Sequence, residues 1–181
     1  METYIAILRG VNVGGKTLKM ADLRTKIERL GFENVSTYIQ SGNVFFQARM
    51  EAKQVLEQKI KALILSDLNL DVSVIVLTPK KLEEIINANP YLSDSKKDRA
   101  FMHVTFLQTV PGNYNVESIQ DKRMGNEEIV FTDEAVYLYC PNGYGTSKLT
   151  NNLFESKMKV AATTRNWKTT LKLLELAKNI S

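Results

Sequence analysis

The apolar residues first come as an unbroken run, Tyr4-Ile5-Ala6-Ile7-Leu8, which predicts a buried strand. After a glycine-rich break the spacing changes to Met20, Leu23, Ile27 and Leu30, the stripe of an amphipathic helix that Gly31 ends. Val35 to Ile39 and Val44 to Gln47 predict two strands around a turn, Gln40-Ser41-Gly42-Asn43. A long helix is expected from about Ala52 to Leu68, turning Val55, Leu56, Ile60, Leu63 and Ile64 inward, followed by a β-branched strand from Val72 to Leu77. This order, βαββαβ, is the split-βαβ or ferredoxin-like plan.

The second half carries the same rhythm. Thr78-Pro79 opens a helix, with a capping residue and then proline at the first helical position. Asn89-Pro90 stops it, and the charged run from Ser93 to Arg99 reads as an exposed loop. Phe101 to Leu107 predicts a strand, Val116 to Lys122 a short helix, and Glu128 to Phe131 with Ala135 to Cys140 a hairpin. Leu149 to Met158 predicts a helix, Val160 to Thr163 a last strand or a connector, and about Asn166 to Lys178 the final helix, anchored by Trp167. The fold class expected is therefore α+β, with two ferredoxin-like halves consistent with duplication, each followed by an extra helix. The halves are expected to divide near residues 1–78 and 79–181 within one compact unit.

Composition narrows the functional classes. The chain has 181 residues, 44% hydrophobic and 24% charged, which suits a folded protein, and no apolar run approaches the ~20 residues that span a bilayer. Glu2 followed by a strand pattern is not a signal peptide. One cysteine, Cys140, excludes an internal disulfide and fits a cytoplasmic location; one histidine, His103, excludes a multi-histidine metal centre within one chain. No metal or membrane partner is expected. A net charge of +4 is compatible with phosphate ligands or with nucleic acid and requires neither.

The candidate chemistry sits in the first break, Arg9-Gly10-Val11-Asn12-Val13-Gly14-Gly15-Lys16-Thr17. Its glycines permit a sharp turn with exposed N–H groups just ahead of a helix, where the dipole favours an anion. Arg9, Lys16 and Lys19 add positive charge, while Asp22 competes weakly. In a βαββαβ sheet the third strand lies between the first two, so Gln40, Ser41 and Asn43 are expected beside this loop, with Asn69-Leu70-Asp71 at the same edge. The ligand residues expected are Arg9, Gly10, Asn12, Gly14, Gly15, Lys16, Gln40, Ser41 and Asn43, and the ligand an anionic small molecule, phosphorylated or carboxylated. No general base stands out beside them, so no catalytic residue and no cofactor are assigned.

Other readings compete. Residues 10–17 match the P-loop pattern G-x-x-x-x-G-K-[ST], but a hairpin follows the first helix, no magnesium-holding aspartate ends a strand, and the loop is equally a plain glycine turn. Pro141 to Lys148 is a second glycine-rich lead-in to a helix, with Tyr144, Ser147 and Lys148 as secondary candidates and Thr146 or Ser147 as its cap. Arg165 and Asn166, placed at the start of the last helix, are the others. Tyr38, Phe45, Tyr137 and Tyr139 offer a stacking platform if the partner is RNA or DNA. His103 reads as a packed histidine, Cys140 as buried and inert, and Lys80-Lys81, Lys96-Lys97 and Lys157 with Lys159 as solvated faces.

Four stretches carry a resemblance: Leu8-Arg9-Gly10-Val11-Asn12-Val13-Gly14-Gly15, Tyr38-Ile39-Gln40-Ser41-Gly42-Asn43, Ser147-Lys148-Leu149-Thr150 and Thr164-Arg165-Asn166-Trp167. Together they resemble the bacterial family known as domain of unknown function 1697, over nearly the whole chain. The resemblance implies a soluble bacterial protein with a duplicated α+β arrangement. It brings no activity and no catalytic residues, and Thr17, which completes the P-loop pattern, lies outside it.

Overall fold

The computed structural model describes residues 1–12 and 18–180. The chain forms two compact units, one of Met1–Glu83 with Leu173–Ser181 and one of Glu84–Lys172. In the first unit β1 (Glu2–Leu8) leads to α1 (Met20–Glu28), the hairpin β2 (Glu33–Tyr38) and β3 (Asn43–Ala48), α2 (Lys53–Leu68) and β4 (Val74–Leu77). The sheet order is β2-β3-β1-β4 and every pairing is antiparallel. Tyr4, Ala6 and Leu8 face Leu23 and Ile27 of α1 and Leu56, Ile60 and Ile64 of α2 in one apolar core. Ile5 and Ile7, alternating to the other face, are also fully buried, which explains why β1 reads as a continuous run.

Two features of this unit depart from the pattern. Val55 was assigned to the inward face of α2 but is 38% exposed. Its neighbour Glu57 is buried instead, and its carboxylate accepts a hydrogen bond at 3.0 Å from the Val76 amide of the edge strand β4. The α2 stripe therefore runs through Leu56, Ile60 and Ile64, with one carboxylate turned inward because an edge amide needs an acceptor. At the helix end Asn69 adopts φ 51 and its N–H bonds Leu65 O, a left-handed cap.

After β4, α3 (Pro79–Asn87) is capped as expected: the Lys81 amide donates to Thr78 Oγ1. The second unit then repeats the order with β5 (Met102–Leu107), α4 (Glu117–Gln120), β6 (Glu128–Phe131), β7 (Ala135–Tyr139), α5 (Asn151–Met158) and β8 (Ala162–Asn166). Its sheet order, β6-β7-β5-β8, matches the first position for position, again wholly antiparallel. The last element is α6 (Trp167–Ile180).

Three boundaries move. The segment left open as strand or connector is β8, paired with β5 from Leu107↔Ala162 to His103↔Asn166. Thr164, Arg165 and Asn166 are thus strand residues rather than the start of a helix, as suits two β-branched threonines in a row. Asn166 does cap α6, accepting from the Thr169 amide at 2.8 Å. Thr146 and Ser147 do not cap α5. They end a 3-10 turn, Tyr144–Thr146, and the cap is Thr150, which accepts from the Leu153 amide. Lys97 is not a solvated lysine either: it lies 4.4 Å above the Tyr139 ring and pairs with Glu128, folding the 93–99 loop onto the sheet.

Candidate functional site

The chain leaving β1 is tied on both sides. The Leu8 amide donates to Gly42 O at 2.8 Å, joining it to the β2–β3 turn, and the Arg9 amide donates to Ser73 O at 2.9 Å, joining it to the run into β4. Among the described residues, the start of the first loop thus meets the Gln40–Asn43 turn on one side and, on the other, Ser73, two residues beyond the expected Asn69-Leu70-Asp71. Gly42, at φ 74, has room for nothing larger: an added Cβ would lie 2.3 Å from Val11 Cγ2 and 2.8 Å from Leu8 Cβ. Val11 is buried there against the sheet end.

Asn12 is the staple of this corner. At φ 56, it donates through Nδ2 to Gln40 O at 2.6 Å and to Leu18 O at 3.0 Å, while Oδ1 accepts from the Leu18 amide. One side chain thus ties Asn12 to Leu18 and to Gln40 of the neighbouring turn. Asn43, fully buried, donates to Tyr38 O at 3.1 Å and Ser41 Oγ at 2.9 Å, which holds the turn from inside. Both asparagines are expected ligand residues, and in the structure their amides bond backbone carbonyls and a turn hydroxyl. Gly14, Gly15 and Lys16, with Val13 and Thr17, lie outside the described residues.

Arg9, Gly10, Gln40 and Ser41 remain at the rim, Gly10 and Gln40 exposed. Ile39 sits among them at φ 51 and 47% exposed, a β-branched residue in the left-handed region. Sequence reasoning placed it at a strand end, and only its position before Gln40-Ser41-Gly42 hinted at a turn. Across the loop, Lys19 holds the N-cap position of α1. A lysine ammonium accepts no hydrogen bond, so the first-turn amides of α1 receive no side-chain cap from it. Asp22 lies in that first turn, on the helix N-terminal side where its charge opposes a second anion.

The secondary candidates lie in the second unit. Tyr144 and Asn166 are brought to His103, the first by ring stacking at 4.8 Å between centroids and the second as its register partner. Ser147 is buried and accepts from the Leu149 amide; Lys148 is exposed. Arg165 donates to Thr163 Oγ1 at 3.1 Å and Thr164 O at 3.0 Å, and burial pushes its guanidinium down to about 10, still protonated at neutral pH. Cys140 is fully buried, and that burial pushes its thiol up to about 11, so it is no nucleophile. Of the aromatic platform, Phe45 and Tyr137 are 1% accessible, with Tyr137 donating to Ile85 O, while Tyr38 and Tyr139 are half-buried. The P-loop match sits beside a strand whose neighbours are both antiparallel, unlike the parallel sheet of that motif.

A family described as a protein of unknown function, DUF1697, matches residues 1–137, and the chain belongs to that family. A solved structure titled "The structure of conserved bacterial protein SP0830 from Streptococcus pneumoniae" is similar at 25% identity and a TM-score of 0.72, covering 97% of this chain and 98% of that one. No curated protein matches the chain. Among the described residues no helix is long and apolar enough to cross a membrane.

Proposed function

We propose that this protein binds a small anionic molecule, phosphorylated or carboxylated, at the loop between β1 and α1, in the bacterial cytoplasm. The observation that carries the reading is the cluster of left-handed residues at one corner: Gly10, Asn12, Ile39 and Gly42, with φ between 51 and 74. A β-branched residue held there costs on the order of 1–2 kcal/mol, and such strain concentrates where a protein keeps a loop ready for a partner. Arg9 and Lys19 at the rim supply charge, and the first-turn amides of α1, given no cap by Lys19, supply donors. Asn12 and Asn43 are scaffolding in this reading, and Arg9, Lys16, Lys19 and the backbone amides are the ligand contacts.

A thermal-shift panel of nucleotides, sugar phosphates and acyl phosphates tests it, run on the wild type and on an Arg9→Ala, Lys16→Ala double variant. At a hundred times its Kd a true ligand adds about 2.7 kcal/mol of stability, and the double variant should lose most of that shift. If no anion stabilises the wild type beyond the double variant, the reading fails. Affinity for labelled single-stranded oligonucleotides that falls steeply with salt would replace it with nucleic-acid binding.

A further inference from the structure

In the second unit a polar cluster interrupts the sheet face that α4 and α5 cover. His103 and Thr105 come from β5, Thr164 from β8, Asn151 from the start of α5, and Tyr144 from the segment after β7. Thr164 Oγ1 donates to Asn151 Oδ1 at 2.6 Å, which leaves its two lone pairs to the Tyr144 hydroxyl at 3.2 Å and the Thr105 hydroxyl at 2.7 Å. The direction of this chain of hydroxyls is therefore set, ending on α5. The Tyr144 ring lies against the His103 imidazole with 26° between the planes. His103 Nδ1 faces Phe101 O at 3.3 Å; since a carbonyl only accepts, Nδ1 carries the proton and Nε2 the lone pair.

We propose that residues 141–147 form a strap that Tyr144 latches over this cluster, and that protonation of His103 opens it. The strap contains one 3-10 turn and a glycine at φ 90, Gly143, and it ends at buried Ser147, which stays in place as the hinge. The imidazole is faced by the Phe101 carbonyl and Thr105 on its own strand, by Leu138 on β7 and Asn166 on β8 as register partners, and by Tyr144. None of these is charged at neutral pH. Burial, offset only by the Phe101 carbonyl, holds His103 below its ordinary value. The closed strap therefore favours the neutral ring. It is fully latched well above the ordinary imidazole value of about 6.5, where an uncovered histidine is also neutral, and loses its hold as pH falls from there through the lower value of the covered one. Opening frees the Tyr144 hydroxyl from Thr164 and uncovers a histidine lone pair beside two threonine hydroxyls.

The 181-residue chain tests this directly, because its single histidine gives one imidazole signal. NMR titration follows His103, and amide hydrogen exchange at residues 145–147, corrected for intrinsic pH dependence, follows opening. The opening equilibrium should grow on the order of tenfold for each pH unit between the titrations of wild type and Tyr144→Ala. His103→Gln should flatten that profile. Tyr144→Phe keeps the ring without the hydroxyl, so it should raise exchange at every pH while leaving the pH dependence intact, and it serves if Tyr144→Ala does not fold. Exchange that ignores the His103 titration overturns the proposal. So does a His103 that titrates at or above the ordinary value, the result expected if the tyrosine face held the imidazolium.

Discussion

The corner that follows β1 has a counterpart after β5, and the two are built on the same hydrogen bonds. Leu8 N to Gly42 O corresponds to Leu107 N to Glu134 O, and Arg9 N to Ser73 O corresponds to Gln108 N to Ala161 O. On this shared frame the residues themselves differ. The first corner has Arg9 where the second has Gln108, and left-handed Gly42 where the second has Glu134. No residue from 108 to 112 or from 132 to 134 has positive φ. The second corner also closes on itself. Thr132 Oγ1 donates to Ala135 O and accepts from its amide, while Asn115 accepts from the Ser118 amide at the entry to the single-turn α4. The sheet evidently needs neither strain nor glycine at this place. What the first corner adds is a nine-residue helix with a lysine at its N-cap, cationic rim residues and a strained turn, all of which concern what lies outside the sheet.

The largest expected effect breaks that contrast at its tightest contact. Gly42→Ala forces a left-handed alanine against Val11 and Leu8, and the combined backbone and overpacking cost is about 2–5 kcal/mol. Gly112→Ala in the second corner meets nothing within 4 Å and should stay within about 0.5 kcal/mol of wild type. Urea denaturation of both variants decides it; equal effects would mean that the first corner is no tighter than the second. Next comes Asn12→Ala, which leaves Gln40 O, Leu18 O and Leu18 N without their side-chain partner and should cost about 1–3 kcal/mol. Thr132→Ala, removing a single two-way contact on the other side, should cost less, about 0.5–1.5 kcal/mol.

These two residues also mark how far the sequence is legible. The alternation and spacing of apolar residues announced both sheets, because burial of one helix stripe and one strand face is a periodic signal. The glycines announced the corner, since Gly10 and Gly42 occupy conformations that other residues resist. The duties of the polar side chains were not legible. An asparagine amide bonds a ligand or a backbone carbonyl equally well, and only the geometry assigns Asn12 and Asn43 to the backbone. Glu57 and Lys97 were hidden for the same reason: their burial is allowed by partners distant in sequence, Val76 and Glu128. β8 was blurred because its five residues, ATTRN, mix polar and apolar positions without alternation, and pairing with β5 decides the matter.

A smaller change sharpens the comparison in the opposite direction. Ile39→Gly releases a left-handed β-branched residue that is already half exposed, so little packing is lost. Relief of the strain outweighs the added freedom of the unfolded chain, and stability should rise by about 0.5–1 kcal/mol. Should the variant unfold more easily than wild type, the turn is held by contacts of the isoleucine side chain and the argument from strain collapses. If the strain is retained for a ligand, the same variant should bind the stabilising anion less tightly, because the ordered turn must then form on binding.

The smallest effect comes from the residue that leaves α1 without a cap. Lys19→Ser places a hydroxyl acceptor at the N-cap, within reach of the second or third amide of the helix. Two consequences follow from the same hydrogen bond. The helix gains about 0.5–1 kcal/mol, the usual worth of a serine cap, visible as a rise of a few degrees in the melting temperature. The anion loses a donor, because the amide it would share is now occupied, and it also loses the lysine charge at the helix end. Stability and affinity should therefore move in opposite directions in one variant, which neither a general loosening of the corner nor a simple loss of surface charge would produce. Lys19→Ala separates the two parts: it removes the charge without adding a cap, so affinity should fall while stability barely changes. A serine variant that is more stable and binds as tightly as wild type would show that the amides at the start of α1 take no part in the site, leaving Arg9 and Lys16 to hold the ligand alone.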